Sequence, residues 1–157
     1  MKITLLAIGK TDDAYINEGI TRYTERVKHY LPFEMIILPD VKRTKGLTPE
    51  MQKKAEAKLI LEQISPSDII CLLDEKGTEY TSRAFADYII KTTNSGARRL
   101  IFIIGGPYGF DDDIYAKANH KISLSRMTFS HQMVRLIFSE QLYRAMTIIR
   151  GEPYHHD

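Results

Sequence analysis

Three stretches of this 157-residue chain hold residue types that could do chemistry. The first is Gly105-Gly106-Pro107-Tyr108-Gly109, directly after the apolar run Leu100-Ile101-Phe102-Ile103-Ile104. A glycine pair at the carboxyl end of a buried strand lets the backbone turn sharply and lets a ligand approach the peptide groups. An ordinary strand-to-helix turn would carry the same residues. The second stretch is Ser125-Arg126-Met127-Thr128-Phe129-Ser130-His131, at the exit of a further strand. His131 would begin a helix there, where the dipole favours the neutral imidazole, and a capping or packing role stands beside a functional one. The third is the end of the chain, Arg150-Gly151-Glu152-Pro153-Tyr154-His155-His156-Asp157. An aromatic and two imidazoles follow a helix stop and a direction-fixing proline, which predicts a tail folded back over a site.

Several chemistries lack their pattern. The dinucleotide spacing G-x-G-x-x-G, the Walker A loop and the hydrolase elbow G-x-S-x-G do not occur. Ser125 or Ser130 with His131 and an aspartate could form a nucleophilic triad, but no spacing supports it. No Cys/His pattern resembles a metal site, so no metal is expected. Cys71 lies within an apolar run and reads as a buried structural thiol.

The elements that must position these stretches follow from periodicity. Apolar runs at Ile3–Ile8, Phe33–Leu38, Ile69–Leu73, Leu100–Ile104 and Lys121–Leu124 read as strands. The stripe Ile16, Ile20, Tyr23, Val27 and Tyr30 predicts a helix capped by Asp12 or Asp13. Thr48-Pro49-Glu50 opens a helix to about Ile64 that is charge-rich, with Lys53, Lys54, Glu56, Lys58 and Glu62, and its basic cluster Lys53, Lys54 and Lys58 reads as a solvated face. Thr81 or Ser82 caps a third helix, stopped at Asn94-Ser95-Gly96. Asp111-Asp112-Asp113 begins a short fourth one. A last helix spans Ser130 to Arg150, with Gly151 as its stop. The alternation predicts one α/β domain, residues 1–157, with a mostly parallel sheet and helices on both faces. The last helix is apolar around more of its girth than one sheet face can bury, and a subunit interface is a natural place for the excess.

Composition narrows the class. The chain is 43% hydrophobic, enough for a sizeable core, and its net charge is only +2. A single cysteine excludes an internal disulfide and fits a reducing cytoplasm. No segment is long and apolar enough to span a membrane, so no membrane partner is expected. Basic residues cluster modestly, at Lys42-Arg43 and Lys45, at Arg98-Arg99, and at Arg126, Arg135, Arg144 and Arg150 near the candidate site. A two-fold dimer would double these patches and could contact phosphates.

Taken together, M-K-I-T-L-L-A-I-G-K, I-G-G-P-Y-G, L-S-R-M-T-F-S-H-Q-M-V-R and E-Q-L-Y-R-A-M-T-I-I-R-G-E-P-Y-H resemble the ribosomal RNA large subunit methyltransferase H family, small SPOUT-class enzymes. The resemblance covers essentially the whole chain, in order. It implies a SPOUT-type C-terminal trefoil knot, an exception to the rule against threaded chains. It also implies a homodimer, S-adenosyl-L-methionine as cofactor, and methylation of N3 of a pseudouridine in 23S rRNA within the assembled ribosome. Carried over by position, the cofactor site is Leu73, Gly105, Leu124, Ser125, Arg126, Met127, Thr128 and Phe129. The catalytic group is Tyr143, Arg144, Tyr154 and His155, with the tail reaching the partner subunit's site. His155 is expected to accept the N3 proton or orient the base. Arg144 or Arg150 is expected to stabilise the imide anion or bind phosphate.

Two positions depart from the family pattern. Ser130 stands where a proline often precedes the histidine, and it can cap the helix. His156-Asp157 replaces a basic residue after Tyr-His, removing a fixed positive charge near substrate phosphates. Two other functions fit parts of the pattern: a ribosome-binding or assembly factor with little turnover, and a tRNA methyltransferase of the same class. The latter usually carries extra RNA-binding segments, which this chain lacks.

Overall fold

The computed structural model describes residues 1–42 and 44–157. Arg43, one of the basic loop residues, lies outside the described residues. Five strands form one parallel sheet in the order β2-β1-β4-β3-β5: β1 Lys2–Ile8, β2 Phe33–Leu38, β3 Ile69–Glu79, β4 Arg99–Ile104 and β5 His120–Ser123. Five helices alternate with them: α1 Ala14–Lys28, α2 Pro49–Leu61, α3 Ser82–Asn94, α4 Asp112–Lys117 and α5 His131–Arg150. Strands buried on both faces need unbroken apolar runs, and β1 and β4 have them. Their residues Leu5, Leu6, Leu100, Ile101, Phe102 and Ile103 are fully buried.

One core lies between the sheet and α1, α3 and α5, centred on Phe85, Phe102, Phe138 and Leu142. The other lies between the opposite face and α2 and α4, through Leu72, Ile103, Ala57 and Ile114. The apolar girth of α5 is thus taken up in part by α1 on one side and α3 on the other. Leu136, Ile137, Ile148 and Ile149 remain only half-buried.

The helix ends obey local chemistry. Thr48, Thr81, Asp111 and Ser130 each accept a backbone N–H of the first turn. Gly151 closes α5 in the left-handed conformation at φ 67°. The α1 start differs from the expected aspartate cap. Asp13 makes no side-chain cap; instead Gln132 Oε1 on α5 accepts from the Asp12 and Asp13 N–H groups, so a tertiary contact does the capping.

Two further differences bear on the site. The third strand does not end at Leu73 but resumes after a bulge, because β5 supplies a second set of partners. Ile122 of β5 pairs with both Leu73 and Thr78, so Asp74–Gly77 arches past it. Gly77 has no side chain because a Cβ there would lie 2.6 Å from the Ile122 nitrogen. Arg135, expected near the site, is instead 1% exposed. Its guanidinium donates to the carbonyls of Ile8 (2.5 Å) and Gly9 (2.7 Å) and to Thr11 Oγ1 (2.9 Å). It locks α5 to the end of β1. Glu56, one of the charges of α2, is buried as well, at 3% exposure.

Candidate active site

A cleft of about 420 Å³ opens at the carboxyl ends of β3, β4 and β5. This is where a parallel sheet gathers its loops and presents a crevice. Leu73 lines it from β3, Gly105 from β4, and Leu124, Ser125, Met127, Thr128 and Phe129 from the loop after β5. The structure therefore brings together every expected cofactor residue except Arg126. That side chain is 87% exposed and forms an outer ion pair with Glu79 at 3.3 Å. His131 and Val134, on the first turn of α5, complete the wall.

The loop after β5 is braced by its own serines. Ser123 Oγ donates to the Ser125 carbonyl (3.0 Å), and Ser125 Oγ accepts from the Met127 N–H (2.9 Å). Gly106, Pro107, Tyr108 and Gly109 form a turn closed by the Gly109 N–H on the Gly106 carbonyl at 3.2 Å. The rim is unusually apolar: Met127 is 77% and Tyr108 51% exposed. The opposite lip is acidic, with Asp74 and Glu75 beside Lys76. Tyr115 donates to Asp74, and burial together with that carboxylate raises its phenol.

The four expected catalytic residues form a second cluster, outside this cleft. The tail folds back onto α5 and α1 of its own chain. The Tyr154 ring meets Tyr143 edge-on at 4.7 Å, and its hydroxyl donates to Glu140 at 3.0 Å. Arg144 donates to the same carboxylate at 2.5 Å. His155 Nδ1 lies 3.4 Å from Arg144, and Nε2 lies 3.3 Å from Asp157. Arginine can only donate, so these partners assign the lone pair to Nδ1 and the proton to Nε2. Tyr30 adds a second strap by donating to Glu152 at 2.5 Å. Burial raises the phenols of Tyr30 and Tyr154, and their carboxylate partners add to the shift.

Sequence reading did not find Glu140, Glu152, Tyr23, Tyr30 or Arg83 as parts of this cluster. Glu140 lies one helical turn before Arg144, a spacing that marks it as a partner. Glu152 belongs to the tail itself; Tyr23 on α1, Tyr30 just after it and Arg83 on α3 join from far along the chain, which no local pattern shows. Asp157, the departure from the basic tail, pairs with Arg83 at the start of α3. Arg150 and His156 are exposed. Val134 in the cleft and Arg144 in the cluster stand ten residues apart on one helix, roughly 15 Å along its axis. Methyl transfer needs reacting atoms about 3 Å apart, and within the chain the cleft and the cluster are set apart by that length of helix.

The cleft's walls fit S-adenosyl-L-methionine. Leu73, Leu124, Phe129 and Val134 offer apolar surface to a neutral adenosine. Gly105, whose missing side chain makes room for the Phe110 ring of the same wall, lines it with bare main chain, and the acidic lip suits the cation at sulfur and the amino group. Among the described residues, no group of three His, Cys, Asp or Glu could hold a metal. No described helix is long and apolar enough to cross a membrane.

Fold and cleft together are those of a parallel-sheet transferase, and residues 1–155 match the model of a family described as predicted SPOUT methyltransferase. A probable methyltransferase from Bordetella pertussis shares the fold, with a TM-score of 0.54, 12% identity, and 92% of this chain and 95% of that one covered. A probable methylase family protein from Haemophilus influenzae gives 0.52 at 11% identity, covering 99% and 70%. Closer relatives are ribosomal RNA large subunit methyltransferase H of Cytophaga hutchinsonii, 59% identical, and of Parabacteroides distasonis, 54% identical. The alignments cover 99% and 100% of this chain and 100% of both relatives. The chain belongs to the ribosomal RNA large subunit methyltransferase H family of SPOUT methyltransferases.

Proposed function

We propose that this protein is a homodimeric methyltransferase that uses S-adenosyl-L-methionine to methylate N3 of a pseudouridine in 23S rRNA within the assembled ribosome. The observation that carries the reading is the strand-end cleft, walled by Leu73, Gly105 and the loop from Leu124 to Phe129. The names of relatives above 50% identity over the full chain support an rRNA substrate. The distance along α5 between cleft and tail cluster supports a dimer: a tail can complete a cleft only if a second copy supplies it. The half-buried apolar residues of α5 offer the contact surface. The trefoil knot is part of the same reading, supported by the passage of β5 against Gly77. A buried Cys71, its thiol pushed up to about 12 by burial, is inert and suits the cytoplasm.

When bound, the cofactor supplies an electrophilic methyl group on a sulfonium. Leu73, Leu124 and Phe129 enclose the adenosine and exclude water. Asp74 and Glu75 attract its cationic end. The imide N3 of the base carries a proton, which must leave before the nitrogen can attack. His155 Nδ1, unprotonated in the tautomer set by Asp157, accepts it. Arg144, anchored by Glu140, stands beside that nitrogen and stabilises the imide anion. Tyr143 and Tyr154 pack the tail so that these groups keep one geometry. With a net charge of only +2, recognition rests on the shape of a large target more than on the phosphate field of free RNA.

The test is methyl transfer from labelled S-adenosyl-L-methionine to unmethylated ribosomes, beside free 23S rRNA and tRNA. A reverse-transcription stop locates the mark, because N3 methylation blocks the pairing edge. One stop at a pseudouridine, on ribosomes alone, is the expected result. Label on tRNA would overturn the substrate, and cofactor binding without transfer would make the protein a ribosome-binding factor.

A further inference from the structure

Glu56 on α2 is 3% exposed, yet it faces the glycine turn of the cleft from behind. Gln52, one helical turn earlier and also buried, donates to its Oε1 at 3.0 Å. The main chain of Gly106 lies against the same carboxylate, and its N–H is turned toward it. A Cβ on Gly106 would collide with both carboxylate oxygens, which accounts for glycine at a position whose φ is not left-handed. Glu56 does not line the cleft, whereas Gly105 and Gly106 do. The Gly105 carbonyl and the Gly106 N–H belong to one planar trans peptide, so they point in opposite directions. With the N–H held on Glu56, the carbonyl is turned toward the cleft.

We propose that Glu56 is a positioning residue, which by holding the Gly106 N–H presents the Gly105 carbonyl to the cleft as an acceptor for an N–H donor of the bound cofactor. An adenine exocyclic amine or the cofactor's ammonium group is the donor chemistry that such an acceptor recognises. The inference rests on the cofactor reading of the cleft. Burial raises the Glu56 carboxyl, Asp40 adds to the shift, and Gln52, His131 and the Gly106 N–H oppose it. The bond to Gly106 needs only an acceptor oxygen, which a protonated carboxyl or a glutamine also provides.

The test compares the intact protein with Glu56→Gln, Glu56→Leu and Glu56→Asp. Each is titrated calorimetrically with S-adenosylhomocysteine, and exchange of the Gly106 amide proton is followed by NMR. Glu56→Gln keeps an acceptor, and Gln52 can turn its amide to match, so binding stays within about threefold of the wild type. Glu56→Leu removes the acceptor and weakens binding by about tenfold or more, with faster Gly106 exchange and an unchanged circular dichroism spectrum. Should Glu56→Leu fail to fold, Glu56→Asp withdraws the carboxylate by one methylene, keeps the charge, and is expected to show the same loss. A folded Glu56→Leu or Glu56→Asp variant with wild-type affinity would overturn the inference. So would a Glu56→Gln variant as weak as those two. A wild-type protein that binds no S-adenosylhomocysteine would overturn the cofactor reading itself, a result distinct from either.

Discussion

The Arg144 guanidinium lies over the Tyr154 ring, its central carbon 4.7 Å from the ring centroid, while both side chains bond Glu140. One carboxylate thus fixes two of the four residues assigned to catalysis. It does so on the chain's own helix, away from the chain's own cleft.

The Tyr154 hydroxyl is therefore worth more to the reaction than to the fold. Tyr154→Phe keeps the ring contacts with Tyr143 and Arg144 and loses the hydroxyl's bond to Glu140 and its contact with Tyr23. Thermal melts should register a loss of about 1 kcal/mol. Turnover on ribosomes should fall further, by about tenfold, because Arg144 and His155 lose a fixed neighbour. Equal, small losses in both would show that the hydroxyl only stabilises the tail.

The link between α5 and β1 should be among the most sensitive in the molecule. Arg135→Met keeps the length and apolar stem but leaves the Ile8 and Gly9 carbonyls without their donor. Denaturant unfolding should show a loss of about 3 kcal/mol. A change below about 1 kcal/mol would mean that water or Lys10 replaces the guanidinium, against this account.

Acid should weaken a clamp at the other end of the sheet. Burial acts to raise the Asp68 carboxyl, but two bonds from Arg99, one of them 2.9 Å, and the Ser65 N–H leave it below the usual carboxylate range. A folded-state value below the unfolded one gives stability that is present above the ordinary range, near pH 4, and lost as pH falls through the lowered value. Asp68→Asn should therefore cost about 2 kcal/mol at pH 7, and the gap to wild type should close as the pH drops below 4. A gap that persists at pH 2 would place the effect in packing and not in the ion pair.

Much of this fold was legible in the sequence because its signals are local. Runs of four to six residues placed the strands, and Thr48, Thr81, Asp111, Ser130 and Gly151 marked helix ends through local backbone bonds. What stayed hidden depends on partners far along the chain. Beyond Leu73 the third strand is Asp74-Glu75-Lys76-Gly77-Thr78-Glu79, with no alternation; it is a strand only because β5 pairs with it. Glu56 is one charge of a charge-rich helix and Arg135 was placed near the site; neither carries a local sign of burial, and each is buried against backbone groups that come from Gly106 or from Ile8 and Gly9. The lining of the cleft was legible through the family motifs, yet only the fold turns Arg126 outward. The tail was expected to fold back, and it does, but onto a cluster built with Glu140, Tyr30 and Arg83.

The central claim is that a working site joins the cleft of one copy to the tail of another, and mixing two inactive variants tests it directly. Gly105→Val sets a side chain against the Phe110 ring of the cleft wall, which deforms the cleft and leaves the tail intact; His155→Ala disables the tail and leaves the cleft intact. Each alone should transfer no methyl group to ribosomes. Co-refolded in equal amounts, they should form mixed dimers holding one complete site, and activity should return to a substantial fraction of wild type. If the mixture stays as inactive as its components while mixed dimers are present, each site is built within a single chain, and the two-copy account is wrong.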